Sequence, residues 1–172
     1  LYAAPVFTKY FRDKALEDLV VVAPDVGAAK MARGYAKRLG ASFAIIDKRR
    51  PQANMSEVLN VVGEVEGKTC LLVDDMVDTG GSLCNAIQAL KDRGAKAVYA
   101  AATHALLSDG AARRLQEAPV EEVIVTNTIH ISEEKRFEKL TVLSVASLLA
   151  KAIDYVHSNE SVSQLFETPS DD

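Results

Sequence analysis

Two neighbouring acids and a turn of small residues are the part of this sequence best suited to chemistry. The acids follow an apolar run at 69–73, and the turn leads into a helical pattern. Glycines let the backbone approach an anion, and helix N-termini attract negative charge. Carboxylates accept hydrogen bonds from hydroxyl groups, so the pattern predicts a sugar-phosphate site. Its residues are Asp74, Asp75, Asp78, Thr79, Gly80, Gly81 and Ser82.

A simpler interpretation is that the turn only caps the helix that follows it. Asp78 and Thr79 are residue types that commonly accept hydrogen bonds from helix N–H groups. Capping alone explains neither the paired acids before the turn nor the double glycine within it. We therefore favour the anion site.

A basic segment forms the second candidate group. Lys48 and Arg50 lie in the segment 48–54, which contains Pro51 and lacks periodicity, so we expect a mobile loop there. One arginine can bind two phosphate oxygens at once, and lysine supplies a point charge. The alternative is a solvated basic turn.

Asp25 is a candidate metal ligand. It follows the apolar run 19–23 and precedes Gly27, where a carboxylate can meet a metal at the edge of a sheet. It can equally cap the next helix, and the two roles are compatible.

The elements that must position these residues alternate along the chain. Short apolar runs predict buried strands, and apolar residues at helical spacing follow most of them. The expected strands are 19–23, 43–46, 69–73, 97–102, 123–125 and 142–145, and the expected helices are 26–39, 83–93, 108–117 and 146–157. This order predicts an α/β fold with a parallel central sheet and helices on both faces. Ligands of such sheets bind at the carboxyl ends of the strands.

Composition limits the class of protein. The 172 residues are 48% hydrophobic and 26% charged, which suits one globular domain over 1–172. The net charge of -4 argues against a nucleic-acid partner, and no apolar run is long enough for a membrane span. Cys70 and Cys84 have no metal-ligand spacing, so a reduced cytoplasmic location is expected. Since the chain begins at Leu1 rather than Met, we expect a fragment or a processed product.

The motifs together resemble one enzyme family. The segment 74–82 is similar to the phosphoribosyl-binding loop of the type I phosphoribosyltransferase fold. The wider context resembles ribose-phosphate diphosphokinase, in the carboxyl-terminal half of that family's polypeptide. The further motifs are Ala-Pro-Asp-Val-Gly at 23–27, Ile-Ile-Asp-Lys-Arg-Arg-Pro at 45–51, Ala-Thr-His at 102–104 and Glu-Ser-Val-Ser-Gln-Leu-Phe at 160–166.

This resemblance implies a reaction and its reactants. Family members transfer the diphosphoryl group of ATP to the 1-hydroxyl of ribose 5-phosphate, giving 5-phosphoribosyl 1-diphosphate and AMP. Asp74 and Asp75 match the acids that face the ribose hydroxyls, and 78–82 matches the cradle of the 5-phosphate. Lys48 and Arg50 match the flexible catalytic loop, here 48–56.

The resemblance also implies a cofactor, regulation and assembly. Asp25 matches a Mg²⁺ ligand, although Ala28 stands where the family commonly has a second glycine. Ser161 and Ser163 match positions that bind regulatory anions between subunits, and two serines near a chain end are otherwise surface residues. His104 matches a motif near the site, and a buried, hydrogen-bonded histidine is the alternative. Dimers assembling to a hexamer are implied.

Three further expectations follow. Residues 1–14 are a lead-in and 167–172 a frayed tail. The family's amino-terminal half supplies most of the adenine pocket and a metal-binding histidine, so the chain alone is expected to be inactive without that partner. The competing hypotheses are a phosphoribosyltransferase, which adds a base, and a non-catalytic regulatory paralogue.

Overall fold

A computed structural model of the chain describes residues 1–49 and 58–165. The strands are β1 (Leu19–Ala23), β2 (Ser42–Arg49), β3 (Val58–Val62), β4 (Thr69–Val77), β5 (Ala97–Ala105), β6 (Glu122–Thr126) and β7 (Leu140–Leu143). The helices are α1 (Ala4–Lys14), α2 (Ala29–Leu39), α3 (Gly81–Asp92), α4 (Ala111–Glu117) and α5 (Ala146–His157), with 3-10 turns at Glu133–Lys135 and Val162–Leu165.

The strands form one sheet in the order β3-β2-β1-β4-β5-β6-β7. Every neighbouring pair is parallel except β2 and β3, which are antiparallel. The α/β fold with a largely parallel sheet is thus confirmed, with an antiparallel edge strand added. The apolar runs form central strands because both of their faces are covered: Val20, Val21 and Val22 are all buried in β1.

Helices cover both faces of this sheet, as predicted. On one face Ile87 and Leu90 of α3 and Leu115 of α4 are fully buried. On the other face Phe7 and Phe11 of α1 pack with α2. Each such side chain contributes about 1.5–3 kcal/mol by leaving water. The two layers fix the sheet, and therefore the edge where the candidate site lies.

Helix α1 lies within the segment treated above as a lead-in. Pro5 suits its first turn, and Phe7 and Phe11 are four residues apart, which places both on the buried side. The Lys14 Nζ donates to Glu122 Oε2 at 2.7 Å, across 108 residues of sequence. The alternation of strands and helices gave no reason to expect this helix, because no strand precedes it.

The expected mobile loop is wrong at its start. Lys48 and Arg49 belong to β2, where they pair with Leu59 and Val58 of β3. Hydrogen bonding to an antiparallel neighbour extends β2 beyond its apolar residues, which the sequence pattern does not reveal. Positions 50–57, including Arg50, and the tail at 166–172 lie outside the described residues. Within the described part, no helix is long and apolar enough to cross a membrane.

Candidate functional site

The paired acids lie on a strand rather than after one. Strand β4 continues to Val77 because β5 pairs with it as far as Ala105. Asp74 is half-buried and lies opposite Ala102, whereas Asp75 is exposed. The sequence placed the strand end at Val73, so the structure holds the acids in a more rigid backbone than expected.

Asp74 has the most perturbed carboxyl group described. Its pKa is raised to about 6, and burial is the largest cause. The Asp75 N–H, which donates to Asp74 Oδ1 at 2.9 Å, opposes this shift. The negative charges of Asp75 and Asp25 add to it. A half-buried carboxyl group surrounded by acids is suited to accept hydroxyl donors or to meet a cation.

The turn after β4 provides the anion-binding geometry. Gly80 is in the left-handed region at φ 76°, which glycine adopts without strain, and α3 begins at Gly81. The first N–H groups of a helix have no partner within it, and the helix dipole favours an anion beside them. No side chain among the described residues caps α3, so the alternative that Asp78 and Thr79 merely cap this helix is wrong.

Two residues that the sequence motifs did not reveal donate hydrogen bonds to the same turn. Ser108 donates through Oγ to Asp78 Oδ1 at 2.5 Å and through its N–H to Asp78 O at 3.1 Å. Arg114 donates to Thr79 O from Nε at 3.0 Å and from Nη2 at 2.8 Å. Both residues follow β5 in the sequence. Ser108 is 30 residues from Asp78 and Arg114 is 35 residues from Thr79, and no motif marks either of them.

Asp25 lies in the loop between β1 and α2, at the same edge of the sheet. Its Oδ1 accepts the N–H of Ala28, the residue before α2, at 3.0 Å. Ala28 is itself the N-cap, and no described side chain caps α2, so the interpretation of Asp25 as a helix cap is wrong. A Cβ at Gly27 would approach this oxygen to 3.2 Å, so the glycine leaves room for the carboxylate. The described residues contain no group of three or more His, Cys, Asp or Glu that could hold a metal.

The remaining candidates lie in different places. Lys48 is near the carboxyl end of β2, on the edge that also holds Asp25 and the β4 acids. His104, near the end of β5, is exposed rather than buried, and its Nδ1 lies 2.9 Å from Thr128 Oγ1. Ser161 and Ser163 follow α5, and their hydroxyl oxygens lie 2.5 Å apart.

Comparisons with known proteins identify the relatives. The phosphoribosyl synthetase-associated domain model matches residues 48–167. A ribose-phosphate pyrophosphokinase from Caldanaerobacter subterraneus is 52% identical over 96% of this chain and 53% of its own length. One from Synechococcus elongatus is 54% identical over 96% of this chain and 51% of its own length. The chain therefore spans about half the length of the curated relatives it matches.

Solved structures agree with these relatives. A phosphoribosylpyrophosphate synthetase from Mycobacterium smegmatis superposes with a TM-score of 0.84 at 48% identity, covering 91% of this chain and 51% of that one. An APRTase from Giardia lamblia gives 0.57 at 19% identity, covering 72% and 75%, which supports the fold alone. The resemblance inferred from the motifs is confirmed: the chain belongs to the phosphoribosyl synthetase-associated domain family, has a type I phosphoribosyltransferase-like fold and is related to the ribose-phosphate pyrophosphokinases.

Proposed function

We propose that this chain is the ribose 5-phosphate-binding part of a ribose-phosphate diphosphokinase. In the reaction the 1-hydroxyl oxygen of ribose 5-phosphate bonds to the β-phosphorus of ATP. The bond from that phosphorus to the α-phosphate breaks, the hydroxyl loses its proton, and AMP leaves. The observation that carries the proposal is the placement of two acids and an uncapped helix N-terminus at the end of one strand. The chain bearing them is 52% identical to a ribose-phosphate pyrophosphokinase.

Each part of this site has a distinct role in the proposal. Asp74 and Asp75 accept hydrogen bonds from the ribose hydroxyls, and the turn 78–82 binds the 5-phosphate through backbone N–H groups and hydroxyls. Lys48 and Arg50 stabilise the charge on the transferring group. Phosphoryl transfer relies mainly on positioning and charge stabilisation, so no covalent intermediate with the protein is needed.

Mg²⁺ fits the proposed site as an ion shared with substrate phosphates. Magnesium commonly uses one or two protein carboxylates and completes its shell with phosphates and water. Asp25 would hold it, since its carboxylate is fixed by the Ala28 N–H and its charge reaches Asp74. Bound there, Mg²⁺ would neutralise phosphate charge during transfer.

The rest of the activity depends on partners. Because the chain spans about half of its relatives' length, we assign most of the adenine pocket to an amino-terminal half of the same enzyme. The chain alone should then release no AMP. Assembly as dimers forming a hexamer, anion regulation at Ser161 and Ser163, and a cytoplasmic location belong to the same proposal.

Thermal unfolding with different ligands tests the binding part of this proposal. A ligand that binds only the folded state raises the melting temperature. Ribose 5-phosphate and 5-phosphoribosyl 1-diphosphate should each raise it, while ribose and adenine should not. Stabilisation by a free base would favour the phosphoribosyltransferase alternative, and indifference to every ligand would favour the non-catalytic paralogue.

An assay of AMP release tests the catalytic part. The chain should be inactive with ATP, Mg²⁺ and ribose 5-phosphate, and mixing it with a separately made amino-terminal half should give turnover. Lys48→Ala in that mixture should reduce turnover strongly and leave ribose 5-phosphate binding unchanged. Asp92→Asn, at the far end of α3, is the control variant. Robust AMP release by the chain alone would contradict the proposed division of the site.

A further inference from the structure

The turn that follows β4 is restrained by residues from other parts of the fold. Within the described part of the chain no side chain caps α3, and Gly80 is in the left-handed region. Both features give a short segment considerable freedom in isolation. The hydrogen bonds that restrain it come from elsewhere in the fold: Ser108 binds Asp78, and Arg114 binds the carbonyl of Thr79.

Arg114 is well placed to lock this turn. Its Nε and Nη2 both donate to Thr79 O, and Nη2 also donates to Asp109 O at 2.6 Å. One planar guanidinium thus joins the turn after β4 to the loop before α4. The rigid fork of donors fixes a carbonyl direction better than a flexible ammonium group does.

The direction of that carbonyl decides where the next N–H points. All peptide bonds in the described residues are trans, and in a planar trans peptide the C=O and N–H point in opposite directions. Because Arg114 holds the Thr79 carbonyl on its own side, the Gly80 N–H must point to the other side. That N–H belongs to the turn assigned above to the 5-phosphate.

Arg114 also leaves its positive charge available to an anion. Its hydrogen bonds go to carbonyl oxygens, and no carboxylate within the described residues forms an ion pair with it. The neighbouring Arg113 differs, since its Nε lies 2.8 Å from Glu117 Oε1 and its side chain is largely exposed. Two adjacent arginines of one helix therefore have different roles.

We propose that Arg114 is a positioning residue for phosphate binding. It orients the Thr79–Gly80 peptide so that the Gly80 N–H faces the 5-phosphate, and it adds positive charge behind the turn. Ser108 supports the same turn by fixing Asp78. This inference rests on the proposed function, because the ligand is the ribose 5-phosphate assigned to that site.

Calorimetric titration of ribose 5-phosphate into matched variants tests the inference. Removing a hydrogen bond from a charged group commonly costs about 10- to 100-fold in binding. We expect Arg114→Gln to raise the Kd for ribose 5-phosphate by that factor and Arg114→Lys by less, because lysine restores the charge but not the fork. Arg113→Gln should change the Kd by less than about 2-fold.

A second measurement separates positioning from folding. Since Arg114 is exposed, the unliganded melting temperature of Arg114→Gln should stay within about 3 °C of the wild type. Millimolar guanidinium should restore part of the binding of Arg114→Ala, and the same concentration of sodium ion should not. If a variant unfolds, Ser108→Ala provides the same comparison, with an expected increase in Kd of about 3- to 10-fold.

The outcomes distinguish a failure of the positioning role of Arg114 from a failure of the proposed function. Equal Kd values for Arg114→Gln and Arg113→Gln would overturn the positioning role and leave the proposed function intact. Weaker binding with no rescue by guanidinium, accompanied by a lowered unliganded melting temperature, would show that Arg114 is only structural. A wild-type chain that fails to bind ribose 5-phosphate would overturn the proposed function itself.

Discussion

Two carboxylates on the sheet have opposite surroundings. Glu122 begins β6, at the amino edge of the sheet, and Asp74 lies towards the carboxyl edge of β4. Burial alone raises the pKa of Glu122, but hydrogen bonds from Lys14, Thr141 and Tyr10 outweigh it and leave the pKa lowered. Asp74 instead has acids as its charged neighbours, and its pKa is raised to about 6.

The partners of Glu122 form a complete local network. Tyr10 donates to its Oε1 at 2.6 Å and Lys14 to its Oε2 at 2.7 Å, and Thr141 donates a further hydrogen bond. The Lys14 ammonium lies 5.4 Å from the centre of the Tyr99 ring, within range of a cation–π contact. A satisfied carboxylate of this kind stabilises the fold. Asp74 has no cationic partner within the described residues, and the proposed function assigns its hydrogen bonds to the ribose hydroxyls.

The largest difference should appear in binding. Asp74→Asn removes the charge that the proposed function assigns to binding the ribose hydroxyls, so the Kd for ribose 5-phosphate should rise about 10- to 100-fold in calorimetric titration. Glu122→Gln should change the same Kd by less than 2-fold, because Glu122 lies at the opposite edge of the sheet. Similar increases in Kd for both variants would contradict a specific role of Asp74 in binding.

Stability should respond in the reverse order. Glu122→Gln should cost about 2 kcal/mol, because the Lys14 and Tyr10 donors lose a charged acceptor that is only 14% exposed. For a chain of this size that lowers the melting temperature by about 4–8 °C. The folded pKa of Glu122 is lowered, so its stabilisation is present above pH 4.5 and disappears as the pH falls through the folded pKa. The deficit of Glu122→Gln should therefore shrink in acid.

The pH dependence of Asp74 should have the opposite sign. Its folded pKa of about 6 exceeds the ordinary 3.8, so the folded state binds more protons and stability falls as the pH rises through this window. Asp74→Asn should lack that fall. Between pH 4 and pH 7 it should gain about 1–2 kcal/mol on the wild type, measured by urea unfolding with EDTA and without substrate. A constant difference across this range would contradict the shift.

An exposed ion pair should have the smallest effect on stability among these charge pairs. Lys9 and Asp13 on α1 lie 2.7 Å apart, with side chains 78% and 66% exposed. Asp13→Asn should change stability by less than about 0.5 kcal/mol, because solvent screens such pairs. A larger effect would mean that charge pairing itself, rather than the partial burial of Glu122, accounts for the stabilisation at that network.

Much of the fold could be predicted because it depends on local patterns. The apolar runs around Val21 and Leu71 and the glycine after Leu39 are strong signals for buried strands and a helix end. Strand β3 gave no such signal, since an antiparallel edge strand is defined by its partner. Helix α1 was not predicted, although the spacing of Phe7 and Phe11 is a helical signal.

The candidate site also contains residues that a local pattern predicts and residues that only distant contacts define. Asp74, Asp75 and the turn 78–82 are contiguous, so one motif predicts them together. Ser108 reaches that turn from the loop after β5 and Arg114 from α4, and their contacts with it depend on the alignment of β4 with β5. Glu122 was missed for the same reason, because its partners Tyr10 and Lys14 lie 112 and 108 residues away.

The docking of α1 onto Glu122 has a consequence for the newborn polypeptide. At about 5–20 residues per second, the ribosome needs about 5–20 s to make the 108 residues that separate Lys14 from Glu122. During that interval α1 can already pack on α2, where Phe7 contacts Tyr35. The hydrogen bonds from Tyr10 and Lys14 to Glu122 can form only after β6 has been made, so the polar contacts of α1 are completed later than its apolar ones.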